Sequence, residues 1–216
     1  EKLMYPVLGK EKTIFKPTFS ENLEFFKNYQ AEWLYLRYLY WNFIGKQNEI
    51  KGTGTVFNGN WQSGITFFDT DRIGAQEDIP ERYKQDKSND VYYFLPFILG
   101  LIGLWSLRKQ GVYFFSTLIF FLTFGIGIII YVNPLPESIL IRERDYIFMG
   151  SFIIFSIWIG LSLLSLNEWA SKIKSEKLRV SILAIVVFIM SPLQLLAKNW
   201  DNHQRTGDTF AYDLAK

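Results

Sequence analysis

Four long apolar runs, separated by short polar connections, dominate the second half of the chain. They cover residues 91–107, 112–132, 147–166 and 180–197, are 17–21 residues long and are nearly free of charge. A helix needs about 20 such residues to cross about 30 Å of hydrocarbon, and a helix satisfies its own backbone hydrogen bonds there. The pattern therefore predicts a transmembrane region over residues 91–197 with four membrane-spanning helices. Four buried helices of a large soluble protein are the alternative.

The first 90 residues are polar and nearly balanced in charge, with 12 Lys and Arg against 13 Asp and Glu. Within them, residues 30–47 are dense in Trp, Tyr, Phe and Leu. This stretch is too polar to cross a bilayer and too aromatic to lie freely in water, which predicts an amphipathic helix that lies at the membrane surface or packs beneath a membrane domain. A polar loop follows it. Most of the rings fit a role as interfacial anchors, but Arg37, Trp41 and Asn42 could instead point into a cavity.

Basic residues are concentrated in two of the connections between the runs. The first connection carries Arg108 and Lys109. The third carries four more, namely Lys172, Lys174, Lys177 and Arg179. Short loops rich in Lys and Arg stay in the cytoplasm. Residues 1–90, the loop 133–146 and the tail 198–216 are therefore expected on the opposite, outer face.

A block of alternating charge stands directly before Tyr146 and the third run. It consists of Arg142, Glu143, Arg144 and Asp145. In extended geometry the two arginines share one side, and their guanidinium groups could bind a phosphate or pyrophosphate. Charges beside a span are costly unless they are paired or functional. A network that only fastens the loop fits the same pattern, so both interpretations stand.

Composition narrows the chemistry further. The chain has no cysteine and one histidine, His203, which excludes disulfides, thiolate metal sites and a histidine-rich metal centre. The net charge of +2 gives no reason to propose a nucleic acid as partner. Asp69 and Asp71 could pair around a divalent ion, but the segment lacks the further oxygen ligands of a calcium loop. A solvated turn is the simpler interpretation, so no metal site and no cofactor are predicted.

Several separated motifs carry a family resemblance. In chain order they are "YLYWNFIGKQNEI", "NGNWQSGI", "YYFLPFILGLIGL", "RERDYIFMGSF" followed by "IWIGL", and "NWDNHQRTG". Together they resemble the C-terminal part of the membrane region of a large bacterial family of multispanning proteins, long labelled only as a domain of unknown function. That family is grouped with the GT-C glycosyltransferases and is related to an animal protein O-mannosyltransferase. The family more often has Pro where Ile141 stands before the charged block.

The resemblance implies an all-α, GT-C-like polytopic fold in the bacterial inner membrane, with both ends of this chain on the periplasmic side. It implies transfer of a sugar from a polyprenyl-phosphate-linked donor to a polypeptide acceptor on the extracytoplasmic face. It also implies that the catalytic acid belongs to an outer loop upstream and that a soluble helical region follows the tail. The chain is therefore expected to be a fragment, and its catalytic residue is unknown.

The resemblance also indicates which side chains to expect at the site. Arg142 or Arg144 is expected to contact the lipid phosphate, because the departing phosphate needs its negative charge stabilised. Glu143 or Asp145 is expected to orient those arginines. Tyr146, which follows the block, is expected to bind substrate with it. Other positions that match the family's motifs and could line a cavity are Trp41, Asn42, Asn60, Trp61, His203 and Arg205. Arg37 is a cavity candidate from the aromatic pattern alone. A non-catalytic membrane scaffold, or a subunit of a cell-envelope assembly, is the alternative function.

Overall fold

The computed structural model describes most of the chain, and the account below is confined to that part. The described residues are 2–7, 10–49, 55–76, 78–84, 88–134 and 145–200. Helices make up most of these ranges, which confirms a mainly helical fold.

Two small antiparallel sheets accompany the helices and were not part of the all-α expectation. The first pairs β1 (Lys2–Val7) with β2 (Lys10–Phe15). The second pairs β3 (Gly45–Lys46) with β4 (Asp90–Val91). Each strand of the second pair is only two residues long, so no alternating pattern could reveal it.

The predicted aromatic helix is present and runs as one continuous helix. It comprises α1 (Phe19–Phe25), a stretch of π-type hydrogen bonding (Phe26–Leu36) and α2 (Arg37–Phe43). Its start is fixed by a capping box, in which the Thr18 hydroxyl accepts from the Glu21 N–H and the Glu21 carboxylate accepts from Thr18. The first turns are exposed, whereas most of α2 is buried against the apolar helices.

The segment after this helix is more structured than the predicted solvated loop. It contains α3 (Thr66–Ile73) and α4 (Glu81–Lys84). Asp69 is 2% exposed, and its carboxylate accepts backbone N–H groups of Ser63 and Gly64. Asp69 therefore fixes the turn ahead of α3, which accounts for its carboxylate without a divalent ion.

Three of the four apolar runs form helices long and apolar enough to cross a membrane. They extend over Gly111–Val132, Asp145–Trp169 and Glu176–Asn199. The first contains α6 (Gly111–Leu122) and α7 (Ile128–Val132), the second is α8 (Met149–Trp169) after one 3₁₀ turn, and the third contains α9 (Glu176–Phe188) and α10 (Gln194–Asn199). The chain is accordingly a membrane protein by the length and composition of these helices.

The first apolar run, residues 91–107, forms only the shorter helix α5 (Leu95–Ser106), continued by a 3₁₀ turn to Lys109. Its 12 residues give a helix about 18 Å long. The run loses its first residues because Val91 pairs in β4, and Tyr93 and Phe94 adopt positive φ values of 52° and 60°. A fourth complete span is therefore not confirmed.

The core of the molecule is built around α8. Its buried side chains pack with the C-terminal half of the aromatic helix and with α5, as in the contact of Phe155 with Phe43, whose ring centroids are 4.4 Å apart. Gly100 and Gly103 of α5 face Phe155 and Trp158 of α8. Small residues at such positions let two membrane helices approach closely, so the aromatic helix and α5 are held on the α8 span.

Candidate functional site

A cavity of about 1030 Å³ lies where the aromatic helix, the α8 span and the α9–α10 span meet. Its lining is Tyr38, Trp41, Asn42, Phe43, Lys46, Glu49, Tyr92, Asp145, Tyr146, Met149, Phe152, Ile153, Ser156, Ile157, Pro192, Leu195, Leu196 and Asn199. Apart from Ser156 in the interior of α8, the polar members come from the ends of these elements or from the segments next to them, and most apolar members come from the two spans. The cavity is therefore amphipathic along its length.

The apolar part of the cavity follows α8 from its first turn inward. From Asp145 to Ile157 the lining extends over 13 residues, and the 12 steps between these two positions correspond to about 18 Å along a helix. Pro192 and Leu196 form part of the facing wall. Pro192 interrupts the α9–α10 span within a stretch of π-type hydrogen bonding, as expected where a proline removes a helical hydrogen bond.

Pairing of β3 with β4 builds the charged part of the polar end. It places Lys46 directly opposite Asp90, 44 residues further along the chain. The Lys46 Nζ lies 2.6 Å from Glu49 Oε1 and 3.5 Å from Asp90 Oδ2. Lys46 is 8% exposed and Asp90 is 1% exposed, whereas the Glu49 side chain is 59% exposed. Lys46 is thus paired with one buried acid, Asp90, and with one exposed acid, Glu49.

The glycine before Lys46 is required by this pairing. Gly45 has a φ of +138°, and a Cβ at this position would meet the backbone carbonyl oxygens of Asp90 and Gln62. A side chain there would separate β3 from β4 and move Lys46 away from Asp90.

The carboxyl group of Asp90 is buried, which is unfavourable for its charged form. Burial raises its pKa above the ordinary value, and Glu49 adds to this, while Lys46 and Lys198 oppose it. Its Oδ2 atom is buried and has no hydrogen-bond partner among the described residues. A buried carboxylate with a raised pKa beside a cavity is a feature typical of functional sites.

Amide and hydroxyl groups complete the polar end. The Asn199 Nδ2 donates to the Tyr92 Oη over 2.8 Å. Burial raises the pKa of Tyr92 to about 12, so the phenol keeps its proton at neutral pH and can donate in turn. Asn42 donates to the Tyr38 carbonyl, and the Trp41 Nε1 is buried without a hydrogen-bond partner among the described residues. These groups offer both donors and acceptors to a polar ligand.

Four of the side chains predicted from the sequence meet at this cavity. They are Trp41, Asn42, Asp145 and Tyr146. The remaining part of the charged block and the tail positions, namely Arg142, Glu143, Arg144, His203 and Arg205, lie outside the described residues.

Arg37 does not belong to the described lining and has a different environment. It is 3% exposed and donates to the Gly59 carbonyl over 3.1 Å. Its guanidinium carbon lies 4.1 Å from the ring centroid of Trp33 and 4.9 Å from that of Trp41. Arg37 therefore connects the aromatic helix to residues 55–60 by its hydrogen bond to Gly59. It also makes a cation–π contact with Trp41, which lines the cavity.

Asn60 and Trp61 likewise lie outside the described lining and pack the segment between β3 and α3. Asn60 donates to the Gln47 side chain over 3.0 Å. The Trp61 ring stacks under Arg72, whose guanidinium carbon is 3.7 Å from the ring centroid. Their contacts hold the strand that carries Lys46, so they act on the cavity indirectly.

No sequence motif marks Lys46, Glu49, Asp90 or Tyr92 as candidate site residues. Lys46 was visible only as one polar interruption of an aromatic stretch, and Asp90 only as the last charge before an apolar run.

No group of three or more potential metal ligands occurs among the described residues. The polar end itself offers the Lys46 ammonium, the Glu49 and Asp145 carboxylates and the Tyr92 phenol, which can bind a polar ligand by hydrogen bonds and ion pairs.

No protein-family model, curated protein or solved structure matches the chain. The family suggested by the sequence motifs accordingly stays a prediction. What the fold and cavity define is a membrane protein with an amphipathic cavity beside its spans.

Proposed function

We propose that this chain is part of a GT-C-type glycosyltransferase of the bacterial inner membrane. It transfers a sugar from a polyprenyl-phosphate-linked donor to a polypeptide acceptor on the periplasmic face. In this proposal α5 is the fourth span, and both ends of the chain are periplasmic. The observation that carries the proposal is the amphipathic cavity, whose lining includes Asp145 and Tyr146 and whose apolar walls follow two spans.

The shape and chemistry of the cavity fit such a donor. A polyprenyl chain is apolar and would lie along the α8 and α9–α10 spans, where about 18 Å of lining is available. Its phosphate would lie at the polar end, which has Lys46 and the phenol of Tyr92. Arg142 and Arg144, which lie three residues and one residue before Asp145 in the sequence, would supply the further positive charge.

The reaction assigns a task to each kind of group. The bond from the anomeric carbon to the phosphate oxygen breaks, and its electron pair stays on the phosphate. Lys46, Arg142 and Arg144 stabilise that charge. The acceptor hydroxyl attacks the anomeric carbon and gives its proton to a carboxylate. Glu49 and Asp145 are carboxylates that line the polar end, but the expected catalytic acid of the family belongs to another loop.

Lys46 has to exchange partners for the donor to bind. In the free protein its ammonium group is 2.6 Å from the Glu49 carboxylate. Because the Glu49 side chain is 59% exposed, it can turn into water while the phosphate takes its place. Asp90 is buried and stays, so Lys46 keeps its position during the exchange.

The test uses the full-length protein in its native membrane and measures glycosylation of the acceptor. The variants are Arg142→Ala with Arg144→Ala, and Lys46→Met. Lys177→Met is the matched control, because Lys177 is an exposed lysine at the start of α9, remote in sequence from the charged block.

Lost glycosylation at normal expression in the first two variants, with an unchanged control, is the expected result. Unchanged glycosylation with loss of an envelope assembly would overturn the proposal and assign the chain to a non-catalytic scaffold.

A further inference from the structure

Helix α3 presents two phenylalanines to the outside of the molecule. Phe67 is 75% exposed and Phe68 is 51% exposed, although both are large apolar side chains. The opposite side of α3 is fixed by Asp69 and Ile73, which are 2% and 3% exposed. The first turn of α3 is therefore held with its rings pointing outward, and these rings form what we call the aromatic wedge, Phe67 and Phe68.

The aromatic wedge continues directly into the open face of α5. The Phe68 ring centroid is 5.5 Å from that of Phe94, the residue before α5. Ile98, Leu101 and Trp105 follow Phe94 at spacings of four, three and four residues, which places them on one face of a helix. These three side chains are 47%, 48% and 55% exposed. Together they form one apolar stripe along α5, with the wedge at its end.

Helix α5 lies alongside α8, a membrane span, so its stripe lies at membrane level. With its 3₁₀ turn, α5 is about 24 Å long, which is less than the about 30 Å of the hydrocarbon layer. At its other end the Arg108 guanidinium carbon lies 4.1 Å from the Trp105 ring centroid, an arrangement typical of the membrane interface. The wedge extends the apolar surface beyond the short end of α5.

We propose that the aromatic wedge is inserted into the bilayer, at the boundary between headgroups and acyl chains next to the start of α5. A lipid surface fits better than a protein partner because the wedge is continuous with an apolar stripe at membrane level. Asp71, one turn further along α3, is exposed and stays at the level of the headgroups. The inference concerns membrane contact only and does not depend on sugar transfer.

Residues 1–216 contain no cysteine, so no cysteine within them has to be replaced before a single label is introduced. The experiment uses Phe67→Cys in the full-length protein, labelled with an environment-sensitive fluorophore and placed in lipid nanodiscs. Asp78→Cys is the control, because Asp78 is an exposed polar position after α3. Phe68→Cys is the second label, and circular dichroism verifies that all variants fold.

The wedge positions should show blue-shifted emission, loss of emission with nitroxide lipids labelled near the headgroup, and protection from iodide. The control should show quenching by iodide and little response to the lipids. Quenching of both wedge positions by iodide, as for the control, would overturn the proposal. Protection from iodide without lipid quenching would overturn it too, and would assign the wedge to a protein contact.

Discussion

The packing of α5 on α8 depends on glycines, and substitution of Gly103 tests it. A Cβ at this position would meet the backbone carbonyl group of Trp158. A backbone group cannot turn aside as a side chain can, so α5 would have to move away from α8. Gly160, on α8 itself, is the matched control because, apart from its chain neighbours and the adjacent backbone of α8, no described atom lies within 4 Å of the position of its missing Cβ.

We expect Gly103→Ala to lower the free energy of unfolding by about 1–3 kcal/mol, the usual effect of overpacking. For a chain of this size that corresponds to a fall of roughly 2–12 °C in Tm. Gly160→Ala should have no such effect and can gain up to about 1 kcal/mol in helix propensity. Thermal unfolding in detergent or nanodiscs, followed by circular dichroism, measures both. Equal Tm values for the two variants would refute the close packing of α5 on α8.

Two further predictions concern charged groups near the cavity. Because burial raises the pKa of Asp90, its charge destabilises the fold at neutral pH, and this effect disappears as pH falls below the ordinary aspartate pKa. Asp90→Asn should therefore make Tm less dependent on pH between about 4 and 7, and an unchanged pH profile would contradict the assignment. Arg37→Lys keeps the charge but loses the planar group that stacks on Trp33 and donates to Gly59. It should lower stability by about 1–2 kcal/mol, measured by the same unfolding assay, and a value near zero would contradict this role.

Much of the helical architecture could be predicted from the sequence because the relevant signals are local. Length and lack of charge identified residues 112–132, 147–166 and 180–197, and each lies within a helix of the structure apart from small shifts at the ends. Residues 91–107 satisfied the same criteria. They form a shorter helix because Val91 pairs in a strand and Tyr93 and Phe94 have positive φ values, so the helix begins only after these residues. Neither feature produces a periodic pattern of apolar residues in the sequence.

Only some of the residues that line the cavity could be predicted from the sequence. Trp41 and Asn42 were selected because they interrupt or anchor an aromatic stretch, and Asp145 because it lies in a charged block. The structure brings these three together, but their role in binding stays a prediction. Lys46 and Asp90 were missed, because their proximity arises from strands of two residues separated by a long segment. Neither composition nor spacing encodes such a contact.

The most direct test of the proposed function is binding of a short-chain polyprenyl phosphate to the full-length protein in nanodiscs. The variant is Lys46→Met combined with Asp90→Asn, since removing both charges leaves no unpaired buried carboxylate of this pair. Lys177→Met is again the control.

We predict that the double variant binds roughly 10- to 100-fold more weakly than the wild type, the loss expected for a hydrogen bond to a charged group. The control should bind like the wild type. Equal affinity of the double variant and the wild type would contradict a phosphate site at the polar end of the cavity.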